Sequence, residues 1–325
     1  MIGWLVRRLL QSLLVLLLMS LLVFIGLHAI GNPVDILVSE DLNQQERMEA
    51  ISRLGLDQSL PVQYMGFLRG ALDGSLGVSY VYHQDALQLI FQRLPATLEL
   101  AVVALAMAVL IGVPLGLFAG LHPDNPVARL IMAGSIIGFS LPSFWVALLL
   151  IMLFAVHLGW LPASGRGETA EWLGVHWSWL TLDGWRHLLL PACNLALFKV
   201  ALVLRLTRAG VREVVQQDFV KFARAKGLAP HRVIRMHVLR NTLIPLVTVL
   251  GLELGSTIAY AVVTESIFAW PGAGKLILDS INALDRPVVL AYLMVVVVIF
   301  VSLNLLVDVL YRLLDPRVRL AGGEQ

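Results

Sequence analysis

Six long apolar blocks, separated by polar stretches, set the strongest constraint on the fold of this chain of 325 residues. They cover residues 9–30, 95–120, 129–157, 187–209, 243–265 and 287–311. A helix needs roughly 20 apolar residues to cross the roughly 30 Å of hydrocarbon in a bilayer, and each block is long enough. The alternation of apolar and polar residues that marks the strands of a β-barrel is absent. The blocks therefore predict an all-α integral membrane protein with about six transmembrane helices.

Composition supports this class. The chain is 58% hydrophobic and only 14% charged, with a mean hydropathy of +0.82, which is outside the range of a soluble domain. The first block follows Arg7 and Arg8, as a secretory signal would, but it is longer than a signal core and no small-residue cleavage pattern follows it. We interpret it as a retained anchor. Cys193 is the only cysteine, which excludes a disulfide within the chain and a cysteine metal cluster.

Basic residues are unevenly distributed between the two sides of the membrane. If the amino terminus is cytoplasmic, 15 of the 24 lysines and arginines fall in cytoplasmic segments, nine of them between residues 205 and 240. The first extracytoplasmic loop instead contains eight acidic residues. Because basic residues are retained on the cytoplasmic side during insertion, we expect both termini to be cytoplasmic. The basic run is flanked by spans and has no interleaved aromatic residues, which counts against nucleic-acid binding.

Four regions are predicted along the chain. Residues 1–30 form the first transmembrane helix, 31–94 an extracytoplasmic loop region, 95–315 a five-helix core with a cytoplasmic loop at 205–242, and 316–325 a cytoplasmic tail. The loop region is too long for a plain connection. Short helices are expected over residues 44–54 and 60–72. The region either caps the spans or contacts another protein, and both interpretations are open.

The cytoplasmic loop carries an amphipathic pattern. Apolar residues recur at three- and four-residue spacing and predict one helix with a single apolar stripe. The stripe consists of Val211, Val214, Val215, Phe219, Phe222 and Ala223. Gly227 interrupts this helix, and Pro230 is expected to open a second, shorter helix through residues 231–239. Such a loop either rests on anionic lipid headgroups or docks on a protein.

The same loop resembles a known motif. Ala223 to Gly227, followed by Arg240 and Pro245, is similar to the cytoplasmic "EAA" loop of ABC import permeases. Lys221, Phe222 and Arg240 depart from the generic form of that loop. The sequence ARAKGL, followed by LRN, is closer to that of the peptide, nickel and glutathione branch.

Further segments along the chain resemble the same branch. They are His28 with Gly31-Asn32-Pro33, residues 54–64, 74–79, 93–100, 264–276 and 304–320. Asn32 stands where that branch typically has an aspartate.

The resemblance implies a type I ABC importer-like permease in a bacterial inner membrane. Its cytoplasmic loop would sit in a groove of an ATPase subunit. The candidate coupling residues are Phe222, Ala223, Arg224, Ala225, Lys226, Gly227, Leu228, His231 and Arg240. The implied partners are a second homologous permease, two ATPase subunits that bind ATP and Mg, and an extracytoplasmic solute-binding protein. Di- or oligopeptides are the first expectation for the cargo, with glutathione and nickel chelates as open alternatives.

Several motifs of enzymes are absent or incomplete. Residues 272–275 read Gly-Ala-Gly-Lys, but a phosphate-binding loop also needs a glycine at 269 and a hydroxyl residue at 276, where the chain has Ala269 and Leu276. We interpret the segment as a turn that enters an interfacial helix. There is no HExxH or GxSxG motif, and the eight histidines form no metal-binding pattern. We therefore expect no catalytic residue, cofactor or metal in this chain.

Charged residues inside the apolar blocks predict a polar pathway or polar pairing. Near the middle of a span such a group costs about 2.5–3.5 kcal/mol on insertion scales. The charged residues concerned are Glu99, Lys199, Glu253, Glu265 and Asp308. The candidate pathway residues are Glu253, Ser256, Asn194 and Ser140, with a structural hydrogen bond between helices as the alternative for Glu253. An ion-coupled secondary transporter is a rival class, but it normally needs more spans and an internal repeat, which the sequence lacks.

The extracytoplasmic segments supply candidates for contact with a delivery protein. These are Asp57, Tyr64 and Trp270. Five of the eight tryptophans lie between residues 157 and 187, where we expect them to anchor the chain at the headgroup level, with contact with a docking protein as the alternative.

Overall fold

The computed structural model describes residues 2–30, 44–53 and 57–314, and almost all of its regular structure is helical. The helices are α1 (Ile2–Ile30), α2 (Gln44–Arg53), α3 (Leu60–Asp73), α4 (Ala86–Leu121), α5 (Pro126–Ser140), α6 (Ser143–Leu150, continued by the π-helical Ile151–His157), α7 (Leu182–Val215), α8 (Asp218–Ala225), α9 (Pro230–Ile267), α10 (Ala273–Asn282) and α11 (Arg286–Leu314). The predicted short helices of the first loop are confirmed as α2 and α3. A helix is also present at the turn of residues 272–275, as α10, which begins at Ala273.

Five helices are long and apolar enough to cross a membrane, and six spans result if the bent pair α5–α6 counts as one. The five are Val6–Gly26, Ala86–Leu121, Leu182–Val215, Pro230–Ile267 and Arg286–Val309. They coincide with five of the six predicted blocks. The expectation of about six transmembrane helices is therefore confirmed.

The third predicted block, 129–157, is two helices rather than one. α5 and α6 meet at an angle of 104°. The break lies at Leu141, whose φ of −79° and ψ of 137° are extended, because the ring of Pro142 disfavours the helical conformation in the preceding residue. The apolar composition continues across the break, so hydropathy alone does not locate it.

The described residues form two compact units. One lies within residues 1–97 and 271–301, and the other within 98–270 and 302–325. This grouping differs from the linear division of the sequence, because residues 271–301 pack with the amino-terminal unit.

Buried Asp285 organises the first unit. Its carboxylate accepts hydrogen bonds from Ser79 Oγ at 2.5 Å and from the backbone N–H of Tyr80 at 3.1 Å. The aromatic rings of Phe24, Tyr64 and Phe67 pack together with centroids 5.3–6.3 Å apart. Burial raises the pKa of the Tyr80 phenol above its ordinary value.

The second unit is built on close packing between α4 and α7. Gly112, Gly116 and Gly120 recur every fourth residue and so share one face of α4. A Cβ at Gly116 would lie 2.6 Å from the carbonyl oxygen of Leu204, and one at Gly120 would lie 2.7 Å from a methyl of Val211. The two backbones therefore approach as closely as glycine permits, as in other membrane helix pairs with small residues at every fourth position.

A β-hairpin that hydropathy did not predict lies between α6 and α7. Strands β1 (Ala170–Trp172) and β2 (Val175–Trp177) pair antiparallel, with Trp172 opposite Val175. Leu173 and Gly174 both have positive φ, at 55° and 76°, as a two-residue hairpin turn requires.

Candidate coupling element and translocation pathway

The candidate coupling element begins where α7 ends. Gln217 is extended, with φ of −68° and ψ of 148°, and separates α7 from the eight-residue helix α8. Asp218 begins α8, where its carboxylate complements the helix dipole and accepts a hydrogen bond from Lys221 Nζ at 2.9 Å. That hydrogen bond and the Lys221 charge lower the pKa of Asp218, so the carboxylate is ionised at physiological pH. The predicted single helix over residues 211–223 is thus two helices with a break at 216–217.

Gly227 closes α8 with a Schellman motif. The N–H of Gly227 binds the carbonyl of Arg224 at 2.9 Å, and the N–H of Leu228 binds the carbonyl of Ala223 at 3.3 Å. Gly227 has a φ of +78°, in the left-handed region that side chains other than glycine's rarely adopt. No heavy atom lies within 4 Å of the position that a Cβ would occupy there. The requirement for glycine is therefore a matter of backbone conformation and not of space.

The predicted second helix over 231–239 is not a separate element. Pro230 opens a helix that runs without interruption to Ile267, so residues 231–239 are the cytoplasmic end of a span. Residues 233–239 are π-helical. The candidate coupling element is therefore one short helix, α8, joined by Gly227 and a short turn to the start of α9.

α8 has a buried face and an exposed apolar face. Val220 and Ala223 are buried in a cluster with Val211, Val233 and Val238. The side chains of Phe219 and Phe222 point the other way and are 44% and 61% exposed. This corrects the predicted stripe: on α8 the buried face is formed by Val220 and Ala223, three residues apart, and not by the two phenylalanines. The break at 216–217 also ends the stripe of α7 before it reaches Phe219. α8 therefore exposes two aromatic rings on one face and is packed against the rest of the chain by its other face.

A basic side chain lies against one of the exposed rings, and further basic residues of the segment are exposed. The Nζ of Lys226 lies 4.5 Å from the ring centroid of Phe222. Arg224, His231 and Arg240 are exposed, as is Ala225, whereas Leu228 packs against the buried cluster. The segment thus exposes two aromatic rings and several positive charges, and aromatic residues and arginine are enriched at protein interfaces.

The candidate pathway residues fall into one polar cluster and two separate sites. Glu253 on α9 forms an ion pair with Lys199 on α7, and Ser256 Oγ lies 3.0 Å from each of these two groups. Lys199 is the residue that sequence reasoning did not include as a site candidate, although its position inside an apolar block was a signal. An apolar span that carries one cation and a neighbouring span that carries one anion already suggest pairing.

Asn194 and Ser140 lie apart from that cluster. Asn194 is fully buried, and its amide nitrogen donates to Thr264 Oγ1 at 2.9 Å, while its carbonyl oxygen has no hydrogen-bond partner among the described residues. Ser140 is exposed at the end of α5 and donates to the carbonyl of Ile136 at 2.9 Å. The structure does not bring these two residues together with Glu253.

The extracytoplasmic candidates differ in accessibility. Asp57 is exposed. The hydroxyl of Tyr64 lies 2.8 Å from Ser20 Oγ, so this residue joins α3 to α1. The side chain of Trp270 is fully buried, with the guanidinium of Arg166 5.9 Å from its ring centroid. We therefore no longer expect Trp270 to touch a delivery protein.

A buried carboxylate fixes the hairpin segment. Glu99 is fully buried, and its oxygens accept from Arg166 at 2.9 Å and from the N–H of Trp179 at 2.7 Å. Arg166 also donates to the carbonyl of His176 at 2.7 Å. The rings of Trp177 and Trp179 stack with centroids 4.6 Å apart. Glu99 is thus a structural anchor for the segment and not a pathway residue. Within the described part of the chain, no group of three or more His, Cys, Asp or Glu side chains could hold a metal.

Matches to known protein families and relatives cover nearly the whole chain. Residues 112–320 match the family described as "Binding-protein-dependent transport system inner membrane component", and residues 1–101 match its amino-terminal counterpart. The "Di/tripeptide transport system permease protein DppB" of Pseudomonas aeruginosa (strain UCBPP-PA14) is 39% identical, over 89% of this chain and 90% of that protein. The "Oligopeptide transport system permease protein AppB" of Bacillus subtilis (strain 168) is 37% identical, over 98% and 99%.

Solved structures agree on the fold. An inward-facing crystal form of the MetNI methionine ABC transporter superposes with a TM-score of 0.55 at 17% identity, covering 70% of this chain and 97% of that one. An amino acid ABC transporter with histidines gives a TM-score of 0.50 and covers 71% and 94%.

Proposed function

Because this chain belongs to the family of binding-protein-dependent transport system inner membrane components, we propose that it forms half of the transmembrane pathway of an ATP-driven importer of di- or oligopeptides. The chain is a multi-pass inner-membrane permease of the ABC transporter class. The proposal concerns its cargo, its partners and the residues that connect it to a source of energy.

The observation that carries the proposal is the two-sided helix α8. Val220 and Ala223 pack it against the ends of α7 and α9, while Phe219 and Phe222 stay exposed. Exposed aromatic residues on a fixed support suit a hydrophobic groove in a partner, because little conformational entropy is lost on binding. α9 continues from this element through the membrane, so a force applied to α8 would reach a spanning helix directly.

The partners follow from the same arrangement. We propose that α8 docks on one ATPase subunit, which binds ATP and Mg, and that a second, homologous permease contributes the other half of the pathway with its own ATPase. A soluble solute-binding protein would deliver cargo to the extracytoplasmic side. The apolar side chains exposed along α1 leave surface for a second permease and for lipid.

Peptides are the proposed cargo because the relatives are named for di/tripeptide and oligopeptide transport. Glutathione and nickel chelates are the alternatives within the same branch.

Reconstitution tests the function directly. The chain, its partner permease and the two ATPases are placed in proteoliposomes, and uptake of a radiolabelled dipeptide is measured with the binding protein outside. We expect uptake only with ATP and only with both ATPases present. Uptake driven by an ion gradient without the ATPases would instead support a secondary transporter. Uptake of glutathione but not of dipeptides would change the cargo and keep the mechanism.

A further inference from the structure

The ion pair between Lys199 and Glu253 lies well inside two spanning helices. The spans Leu182–Val215 and Pro230–Ile267 have their midpoints between residues 198 and 199 and between residues 248 and 249, so Lys199 lies at the midpoint of α7 and Glu253 lies within five residues of the midpoint of α9. Lys199 Nζ binds Glu253 Oε2 and also donates to Ser256 Oγ at 3.0 Å. Both charges are therefore far enough from the ends of their spans for an unpaired charge to be costly.

The pair is not sealed inside this chain. The side chain of Lys199 is 16% exposed and that of Glu253 is 24% exposed. Ionisable residues in spanning helices almost always face a helix bundle or a water-filled cavity, because lipid cannot solvate them. The exposed parts of this pair therefore face either the pathway or a protein neighbour. A purely structural pair between α7 and α9 would be expected to lie inside their contact, as Asn194 and Thr264 do.

The chemistry of the pair matches the ends of a short peptide. At neutral pH a free peptide carries an α-ammonium group, with a pKa near 8, and an α-carboxylate, with a pKa of about 3.5. The cluster offers one ammonium, one carboxylate and the Ser256 hydroxyl within hydrogen-bonding distance of each other. When the peptide is absent, the two charges neutralise one another. When it is present, each can exchange its partner for a peptide terminus without leaving a buried charge unpaired.

We propose that Lys199 and Glu253 form a binding site for zwitterionic peptides in the pathway, with Lys199 binding the terminal carboxylate and Glu253 binding the terminal ammonium. Ser256 holds the two side chains in position when no peptide is bound. This inference rests on the proposed function and adds to it a preference for cargo with both termini free.

Transport of end-modified peptides tests the inference. Wild-type and variant complexes are compared for uptake of an unmodified dipeptide, its C-terminal amide and its N-acetyl form. Each peptide is supplied with enough binding protein, loaded to saturation, to remove differences in delivery. For Lys199→Met, we expect the preference for the unmodified dipeptide over the amide to fall at least tenfold, with the preference over the N-acetyl form retained. For Glu253→Gln, we expect the reverse pattern.

The double variant Lys199→Met/Glu253→Gln separates recognition from stability. It removes both charges of the pair together, so neither is left without its partner, and the complex should assemble even if a single variant does not. We expect it to lose both preferences. Wild-type preferences in the double variant would overturn the inference and leave the pair as a structural link between α7 and α9. Absence of any ATP-dependent peptide uptake by the wild type would overturn the proposed function itself, and with it this inference.

Discussion

The ring of Phe222 lies on the exposed face of α8, next to the ammonium of Lys226. Because the ring is exposed, Phe222→Ala should leave the fold of this chain intact. We expect it to weaken ATPase binding by about 2 kcal/mol, or roughly 30-fold in Kd, as for a buried aromatic anchor at an interface. Titration of the ATPase against the purified permease pair measures this change. Phe91→Ala is the matched control, because Phe91 is 58% exposed and lies in the predicted extracytoplasmic part of α4. Equal affinities for the two variants would contradict the docking role of α8.

Gly227 gives a second test at the scale of one residue. Gly227→Ala puts a side chain at a φ of +78°, which costs about 1–2 kcal/mol in local conformation. We expect ATP hydrolysis to continue while peptide uptake per ATP falls, because the turn that joins α8 to α9 loses its shape. Gly227→Asn should retain most of the coupling, since asparagine tolerates this conformation.

The matched control for Gly227 is another helix-ending glycine. Gly74 follows α3 with a φ of +80° and has no heavy atom within 4 Å of a Cβ position, so Gly74→Ala carries the same strain. It should leave the ratio of uptake to ATP hydrolysis unchanged. A loss of coupling in Gly74→Ala as large as in Gly227→Ala would show that general destabilisation is responsible.

The sequence predicts which residues belong to the candidate site better than it predicts whether their side chains are buried or exposed. Gly227 and Glu253 stand out in sequence because a glycine ends a helical pattern and a carboxylate interrupts an apolar one. The exposure of Phe222 could not be predicted from the periodicity, because Gln216 and Gln217 interrupt the helix. The burial of Trp270 depends on packing against Arg166, a residue about 100 positions away, which no local pattern encodes.

At the scale of elements, the glycine stripe on α4 leads to a stability prediction. Gly116→Leu would place atoms within 2.6–2.7 Å of Leu204 and Thr207, so α4 and α7 must separate. Overpacking of this kind costs about 1–3 kcal/mol or more. We expect a lower melting temperature for the detergent-solubilised protein. Gly134→Leu, on α5, is the control, because no heavy atom lies within 4 Å of its Cβ position. A Gly116→Leu melting temperature equal to that of the control would show that the two helices do not pack as closely as described.

Helix boundaries show the limits of sequence patterns at this scale. Pro230 does open a helix, as expected, but nothing between residues 231 and 239 ends it, so it merges with the following span. Pro245 lies inside that span and does not break it. The hairpin β1–β2 depends on the carboxylate of Glu99, which lies on another element and binds Arg166 and the Trp179 N–H. The repeat of glycine at 112, 116 and 120 was available in the sequence as a signal for close packing.

At the scale of the whole molecule, hydropathy located all the spans but could not describe the one that is bent. The pair α5–α6 can either cross the membrane or enter and leave it on the same side. The two arrangements place α8 on opposite sides of the membrane. If the pair crosses the membrane, residues 122–125 and 158–181 lie on opposite sides, and α7 brings α8 to the cytoplasm. If the pair is re-entrant, both segments lie on the same side, and every later segment is inverted.

Charge decides between these arrangements and leads to the last prediction. Inversion would place the nine basic residues of 205–240 outside, against the retention of basic residues in the cytoplasm. It would also remove α8 from the compartment that contains ATP. In a Cys193→Ser background, we therefore expect a membrane-impermeant maleimide to label Asp124→Cys and Gln217→Cys only from the cytoplasmic side, and Ser164→Cys only from outside. All three positions are exposed. Labelling of Asp124→Cys and Ser164→Cys from one side would show a re-entrant pair, and labelling of Gln217→Cys from outside would then exclude α8 as the docking helix.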